Sequence, residues 1–279
     1  MPTFTSHDGL SLAYEDSDPA GTRPPVVLIH GFAANRDTNW RLPGWIDALR
    51  AAGRRVVALD CRGHGESARP HDPAAYADGA MARDVVALLD HLGIARADLI
   101  GYSMGGRIAA RLLTDPAWGA RFEAAVLGGV GGGMLRAEGE RRRAEAIAAA
   151  LEAAEGEVSA SAPPAARAFR AFAESQGGDL RALAACMRSL GLRTTAEDLA
   201  RIRTPVLVVV GGDDTLVGDP RVLADAIPGA RLVVVPGRDH LTAVGARATR
   251  DTALGFLAEH GLAAVEAPAT PPGSSAGSP

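Results

Sequence analysis

The sequence predicts an α/β protein built on a doubly wound, mostly parallel sheet of eight strands. Short apolar runs rich in valine and leucine recur along the chain without strict alternation with polar residues. Such runs are typical of strands that are covered on both faces. Helical patterns separate these runs, so right-handed crossovers would place helices on the two faces of the sheet.

The eight predicted strands are an N-terminal hairpin and six buried runs. The hairpin has Phe4 on one side of an Asp8-Gly9 turn and the run LSLAYE on the other. Glycine, proline or charged residues bound each buried run. These runs are residues 25–31, 54–60, 97–103, 122–130, 204–212 and 231–237.

Three helical patterns lie among these strands. Residues 45–52 form the first and precede the second buried strand. Residues 80–92 place five large apolar side chains on one side at helical spacing. The third begins after Ser103 and ends near Asp115-Pro116, because proline disfavours helical geometry in the residue before it.

The strand–helix alternation stops between residues 131 and 199. This stretch is rich in alanine and arginine, predicts helices and contains an apparent loop at SASAPPAA. We interpret it as an insertion into a core domain formed by residues 1–130 and 200–260. Residues 261–279 are rich in proline, serine, glycine and alanine, which predicts a disordered tail.

Charge and composition argue against several classes of partner. The net charge is −4 and no basic stripe is present, so we expect no nucleic-acid binding. The run Arg141-Arg142-Arg143 lies among Glu138, Glu140 and Glu145, which predicts a solvated helix face.

The remaining composition features predict a cytoplasmic protein without a metal site. Cys61 and Cys186 are far apart and lack partners at metal-ligand spacing, which favours reduced thiols. The N-terminus shows no secretory signal, and no apolar run approaches membrane-spanning length. We therefore expect no membrane association. The sequence leaves the oligomeric state open.

The stretch ADLIGYSMGGRIAA places Ser103 between a buried strand and a helix. Serine and glycine are ordinary turn residues, so a G-x-S-x-G match alone is a weak signal. Here the strand–turn–helix context that the motif requires is present. Gly101 and Gly105 can flank a strained turn that exposes Ser103 at the carboxyl end of the sheet. Ser103 is therefore a candidate nucleophile, and it needs a base, an orienting acid and oxyanion donors.

Two later strand ends supply the acid and the base. Asp213 and Asp214 follow one buried strand, and we favour Asp214 as the acid with Asp213 as the alternative. His240 follows the last buried strand and is predicted to open the C-terminal helical segment. The chain order of serine, aspartate and histidine, each on its own strand-end loop, predicts a catalytic triad. Asp219 before Pro220 is predicted to be a helix N-cap.

Two backbone amides are candidates for the oxyanion hole. Gly31 allows the chain to turn after its strand and to aim the Phe32 N–H toward the reacting centre. The Met104 N–H opens the helix after Ser103, where the helix dipole favours negative charge. His30 is predicted to bond to loop backbone rather than to act as a second base.

The chain resembles the α/β-hydrolase superfamily, in its serine-nucleophile branch of esterases and enol-lactone hydrolases. The motifs are HGF at 30–32, DCRGHGES at 60–67, GYSMGG at 101–106, GGDD at 211–214 and GRDH at 237–240. They extend the resemblance from the first hairpin to about Leu257. One departure is Arg238-Asp239, where the family often has a small residue and glycine; these side chains would add charge near the pocket.

The resemblance implies a role for each site residue. Ser103 would be the nucleophile, Asp214 the acid and His240 the base, with the amides of Phe32 and Met104 as the oxyanion hole. Residues 131–199 would form a helical cap over the site. His64 and Glu66 match a structural loop of the family and receive no catalytic role.

These residues predict a serine esterase (a carboxylesterase) that cleaves small carboxylic esters through an acyl-enzyme and needs no cofactor. The aspartate-dependent dehalogenases and epoxide hydrolases of the superfamily are disfavoured because this chain has serine at the turn. A lactonase, a carbon–carbon bond hydrolase and a cofactor-free perhydrolase stay open as alternatives, as does a non-catalytic small-molecule receptor. The few aromatic residues of the insertion, Phe169 and Phe172, suggest a modest apolar pocket.

Overall fold

The computed structural model describes residues 1–18, 24–154, 162–189 and 194–262. Their strands form one eight-stranded sheet in the order β1-β2-β4-β3-β5-β6-β7-β8. β2 runs antiparallel to β1 and β4, and the other neighbouring strands are parallel. The predicted fold class is confirmed. The strands are β1 Thr3–Thr5, β2 Ser11–Asp16, β3 Pro25–Ile29, β4 Arg55–Leu59, β5 Ala97–Tyr102, β6 Phe122–Gly128, β7 Val206–Gly211 and β8 Arg231–Val235.

Burial along the strands follows their place in the sheet. β4, β5 and β7 are buried at every residue, as predicted for strands covered on both faces. The same prediction is wrong for β8, in which only Val235 is buried and Val234 is 43% exposed. β8 is the edge strand and pairs with β7 alone, so its apolar sequence is only partly covered.

Helices cover both faces of the sheet. One apolar core includes residues of α2 and α3, and the second includes residues of α1 and α10. The helices are α1 Trp45–Ala51, α2 Ala80–His91, α3 Met104–Thr114, α4 Pro116–Gly119, α5 Ala137–Glu152, α6 Pro164–Ser175, α7 Leu180–Ser189, α8 Ala196–Leu199, α9 Pro220–Ala226 and α10 Arg247–His260. Asp219 caps α9 by accepting a hydrogen bond from the Arg221 N–H, as predicted.

Helices α5 to α8 lie in the chain between β6 and β7, within the predicted insertion. Arg170 of α6 is 6% exposed and donates to the carbonyls of Ala150, Leu151 and Ala153 at 2.7, 3.0 and 2.8 Å. This guanidinium satisfies carbonyls at the C-terminal end of α5 that would otherwise lack donors. It thereby joins α5 to α6.

Two sequence predictions concern regions that are only partly described. Residues 159–161 of the loop predicted at SASAPPAA lie outside the described residues, and its last three residues are helical because α6 begins at Pro164, where proline suits the first helical turn. The predicted tail lies outside the described residues beyond Leu262. In the described ranges, every helix is too short or too polar to cross a membrane.

Candidate active site

The turn at Ser103 is strained and tightly packed. Ser103 lies between β5 and α3 with φ 53° and ψ −109°, a conformation that costs about 1–3 kcal/mol in a residue other than glycine. A Cβ on Gly101 would lie 2.2 Å from the Gly105 carbonyl oxygen, and a Cβ on Gly105 would lie 1.9 Å from that of Ile29. Only glycine at both positions lets strand and helix approach closely enough to form this turn.

Ser103, His240 and Asp214 form a hydrogen-bonded chain. The Ser103 Oγ lies 2.8 Å from His240 Nε2, and His240 Nδ1 lies 2.7 Å from Asp214 Oδ2. Because a carboxylate accepts hydrogen bonds, Nδ1 carries the proton and Nε2 is left to accept from the Ser103 hydroxyl. The Asp214 side chain is fully buried, and its Oδ1 accepts from the Leu216 N–H at 3.0 Å. Asp213, the alternative acid, is exposed.

The loop after β8 positions His240 differently from the sequence prediction. His240 does not open a helix, since α10 begins seven residues later at Arg247. The Tyr102 hydroxyl donates to the His240 carbonyl at 2.6 Å and so ties this loop to the end of β5. Sequence reasoning missed Tyr102, although it directly precedes Ser103 in the motif. Arg238 and Asp239 are exposed, and neither lines the described cavities.

Hydrogen bonds between backbone groups and the side chains of Asn39 and His30 hold the loop after β3, which lies close to Ser103. The Gly31 N–H donates to Asn39 Oδ1 at 3.0 Å. His30 donates from Nδ1 to the Gly31 carbonyl at 2.7 Å, and its Nε2 accepts from the Cys61 N–H at 3.0 Å. His30 therefore bonds loop backbone, as predicted. A Cβ on Gly31 would lie 3.5 Å from the Ser103 Cβ, which shows how closely the loop approaches.

The Phe32 and Met104 amides belong to residues that lie near Ser103. Phe32 follows Gly31, and Met104 is the first residue of α3. Within the described ranges neither N–H donates to another group of the protein. Phe32, Ser103 and Met104 line one cavity. In the described residues, the protein itself thus leaves both donors unused.

Two buried histidines beside this loop have strongly lowered pKa values. Burial lowers the pKa of His30 to about 4 and that of His64 to about 3. The His64 ring lies 5.1 Å from that of His30 and 5.7 Å from that of Phe32, between ring centroids. Both rings are neutral in the folded protein near pH 7.

Acidification is expected to destabilise the fold through these two histidines. Their pKa values are near the ordinary 6.5 in the unfolded chain, so the unfolded state binds more protons as the pH falls below 6.5. The stability from the neutral rings is present above that pH and is lost below it. Each ring should lower the free energy of unfolding by about 2 kcal/mol when the pH falls from 7 to 5.

Urea unfolding of wild type and His64→Gln at pH 7 and pH 5 measures this effect. The variant should lose about 2 kcal/mol less than wild type on acidification, because it lacks one titrating ring. His260→Gln is the matched control, since His260 is exposed at the end of α10. Equal pH dependence in wild type and His64→Gln would contradict the prediction.

A cavity of about 850 Å³ opens above Ser103. Its wall combines core residues with residues of the segment between β6 and β7. Phe169 lines it, and its ring packs edge-on against Phe32 with centroids 5.8 Å apart. The apolar lining that we expected is present, and charged side chains share the wall with it. The charged ones are Arg107, Glu138, Arg141, Arg143, Glu145, Arg188 and Glu197, and the large apolar ones are Phe32, Met104, Met134, Leu135, Ile147, Phe169 and Met187.

The arginine run at the start of α5 is only partly a solvated face. The side chains of Arg141 and Arg142 are 78% and 76% exposed, as predicted. Arg143 is instead half-buried and donates from Nη1 to the Leu216 carbonyl at 2.5 Å, although both it and Arg141 line the cavity. Successive helical residues point 100° apart, so three consecutive arginines cannot share one face.

A group of possible metal ligands lies away from this site. The nearest ligand atoms of His7, Asp8 and Asp84 all lie within 4.8 Å of one another. The buried guanidinium of Arg62 donates to Asp8 Oδ2 and to Asp84 Oδ2 at 2.7 Å each. Arg62 thus pairs with both carboxylates, and the group is an ion-pair network.

Comparison with known proteins agrees with this fold. Residues 24–127 match the family model described as alpha/beta hydrolase fold. The non-heme chloroperoxidase CPO-A1 of Kitasatospora aureofaciens is 31% identical in a 268-residue alignment that covers 86% of this chain and 92% of that protein. The chain belongs to the α/β-hydrolase fold family.

Two solved structures illustrate the similarity in three dimensions. A hydrolase from Pseudomonas aeruginosa PA01 matches with a TM-score of 0.71 and 30% identity, over 92% of this chain and 97% of that one. The enol-lactonase from Burkholderia xenovorans LB400 matches with a TM-score of 0.70 and 26% identity, over 92% of this chain and all of that one. The relatives therefore share the fold while their names describe different reactions.

Proposed function

We propose that this protein is a serine hydrolase that cleaves small carboxylic esters through an acyl-enzyme on Ser103. The contacts of His240 with Ser103 at 2.8 Å and with Asp214 at 2.7 Å carry the proposal. A serine hydroxyl is unreactive near pH 7, and a neutral imidazole held within hydrogen-bond distance by a carboxylate is the arrangement that activates it.

The first half of the reaction acylates Ser103. His240 Nε2 takes the hydroxyl proton as the Ser103 Oγ forms a bond to the ester carbonyl carbon. The Phe32 and Met104 amides donate to the resulting oxyanion, each contributing about 2.7–4 kcal/mol of transition-state stabilisation. Collapse breaks the bond from carbon to the leaving oxygen, which receives the proton from His240. Asp214 stabilises the imidazolium between these steps.

The second half releases the acid. His240 removes a proton from water, the water oxygen attacks the acyl carbon, and the bond to Ser103 Oγ breaks as His240 returns the proton to that oxygen. Every proton therefore moves through His240, and these steps use only groups of the chain, the substrate and water.

Residues 131–199 serve in this proposal as a helical cap that shapes the substrate cavity. Residues from this stretch, including Met134, Ile147, Phe169 and Met187, line the cavity of about 850 Å³. A volume of this size lies within the usual range for small-molecule sites. We propose short- to medium-chain acyl groups as substrates, held against these apolar side chains.

Lactone hydrolysis is the second candidate. A lactone is a cyclic ester, and attack by Ser103 would open it without a separate leaving group. The similarity over 92% of the chain to a protein named as an enol-lactonase favours this candidate. Comparing matched linear esters and lactones in one assay distinguishes the two, because the preferred substrate has the higher kcat/KM.

Labelling with a fluorophosphonate probe tests whether the site is catalytic. Such probes phosphonylate serine nucleophiles activated by a base. We expect one adduct, located on the peptide containing Ser103 by mass spectrometry, and no adduct in Ser103→Ala. Ser6→Ala is a control that leaves the candidate site intact. A wild-type protein that stays unlabelled would instead support a non-catalytic small-molecule receptor.

A further inference from the structure

A second, smaller space opens next to Ser103 and His240. This cavity of about 40 Å³ has room for a few atoms, and Arg107 and Arg143 also line it. Among the described residues, no aspartate or glutamate lines it. Positive charge therefore lies beside the two groups that would perform the chemistry.

The two arginines that line this space belong to different helices. Arg107 lies on α3, one turn after the nucleophile, and its N–H donates to the Ser103 carbonyl at 3.1 Å. Arg143 comes from α5 and donates from Nη1 to the carbonyl of Leu216, two residues after Asp214. Both side chains have further interactions within the protein. A guanidinium has five N–H donors and can contact several acceptors at once.

The acidic residues of the larger cavity lie farther out and have their own partners. Glu138 pairs with Arg141 at 3.6 Å, and Glu145 pairs with Arg188 at 3.2 Å. The side chains of Glu138 and Glu145 are 67% and 61% exposed, whereas Arg107 and Arg143 are half-buried. Glu197, the third acidic residue of this wall, is exposed as well, and charges near the surface are screened by water and salt.

We propose that Arg107 and Arg143 bind a carboxylate of the substrate, so that the preferred esters are anionic ones. The inference rests on the proposed function, since it names the substrate class of that same site. Arginine pairs with a carboxylate through two parallel, charge-assisted hydrogen bonds. Because Ser103, His240 and both arginines line one small space, the carboxylate lies within a few bonds of the scissile carbonyl. Half-esters of short dicarboxylic acids meet this requirement.

The test compares an anionic ester with a neutral one. The substrates are 4-nitrophenyl hemiglutarate and 4-nitrophenyl pentanoate, and the readout is the ratio of their kcat/KM values. Wild type should favour the hemiglutarate. Arg107→Gln and Arg143→Gln should each lower this ratio about 10- to 100-fold, as expected for one lost charge-assisted contact. A ratio that is the same in both variants and wild type overturns the proposal.

Arg142→Gln is the matched control. Arg142 is next to Arg143 on α5, but its side chain is 76% exposed and lines neither cavity. The Arg142→Gln substitution removes the same charge from the protein as Arg143→Gln does. Because Arg142 lines neither cavity, the ratio of the two kcat/KM values should equal that of wild type. A fall in this control as large as in Arg143→Gln would show a general charge effect and overturn the specific contact.

A direct binding measurement separates this inference from the proposed function. Calorimetric titration of Ser103→Ala with glutarate needs no turnover, and adding Arg107→Gln should weaken glutarate binding about 10-fold. If wild type hydrolyses the pentanoate but the variants keep the wild-type ratio of kcat/KM values, the proposed carboxylate site is wrong. The proposed esterase activity is then still supported. If neither ester is hydrolysed, the proposed function fails, and the titration decides on the carboxylate site.

Discussion

Replacing Ser103 by alanine is expected to lower kcat for ester hydrolysis by a factor on the order of 10⁵. The substitution removes the oxygen that forms the acyl-enzyme and leaves the Phe32 and Met104 amides in place. Residual turnover should therefore exceed the uncatalysed rate by about 10³-fold, since the oxyanion donors still bind the transition state. Steady-state kinetics on 4-nitrophenyl esters measure the change, and rates equal to wild type would end the proposed mechanism.

The two adjacent aspartates provide a matched control for the same mechanism. Asp214→Asn should lower kcat by about 10⁴-fold, because an amide can leave the imidazole in the wrong tautomer. Asp213→Asn should change kcat by less than about 3-fold, since Asp213 is exposed and its backbone N–H bonds the Arg238 carbonyl without using the side chain. Equal losses in the two variants would contradict the assignment of Asp214 as the acid.

Replacing Gly105 by alanine should destabilise the fold by more than about 4 kcal/mol. The added Cβ would lie 1.9 Å from the carbonyl oxygen of Ile29 and 2.8 Å from that of His30. Both atoms belong to backbone at the end of β3, so no side-chain rotation relieves the overlap. α3 would have to move away from the sheet, and the turn at Ser103 would move with it. Urea unfolding measures the free energy of unfolding. Loss of fluorophosphonate labelling at Ser103 would show that the turn is distorted.

Gly255→Ala is the control for this prediction. Gly255 lies inside α10, and a Cβ built on it meets nothing within 4 Å in the described chain. Alanine there should stabilise the protein by up to about 1 kcal/mol, because it has the higher helix propensity. The same substitution should thus change the free energy of unfolding in opposite directions at the two glycines. A Gly105→Ala protein as stable as wild type would contradict the close approach of α3 to β3.

The sequence predicted most of the sheet because its signals are local. Runs of valine and leucine without polar alternation marked the strands, and Ser103 was identified by the strand, turn and helix around it. The same signals predicted β8 as a strand but were wrong about its burial, because the sequence of a strand does not reveal how many neighbouring strands it has. His240 was found from its chain order, although it lies in a turn that Tyr102 ties to β5.

The chain itself therefore determined which segments become strands, which residue types stand at the strand ends and which family the protein belongs to. The tertiary structure decided which aspartate contacts His240 and how charged the cavity is. Arg143 illustrates the difference, because its sequence neighbours predicted a solvated face while it is half-buried and contacts Leu216. Backbone preference depends on nearby residues, whereas the surroundings of a side chain are set by segments that folding brings together from distant parts of the chain.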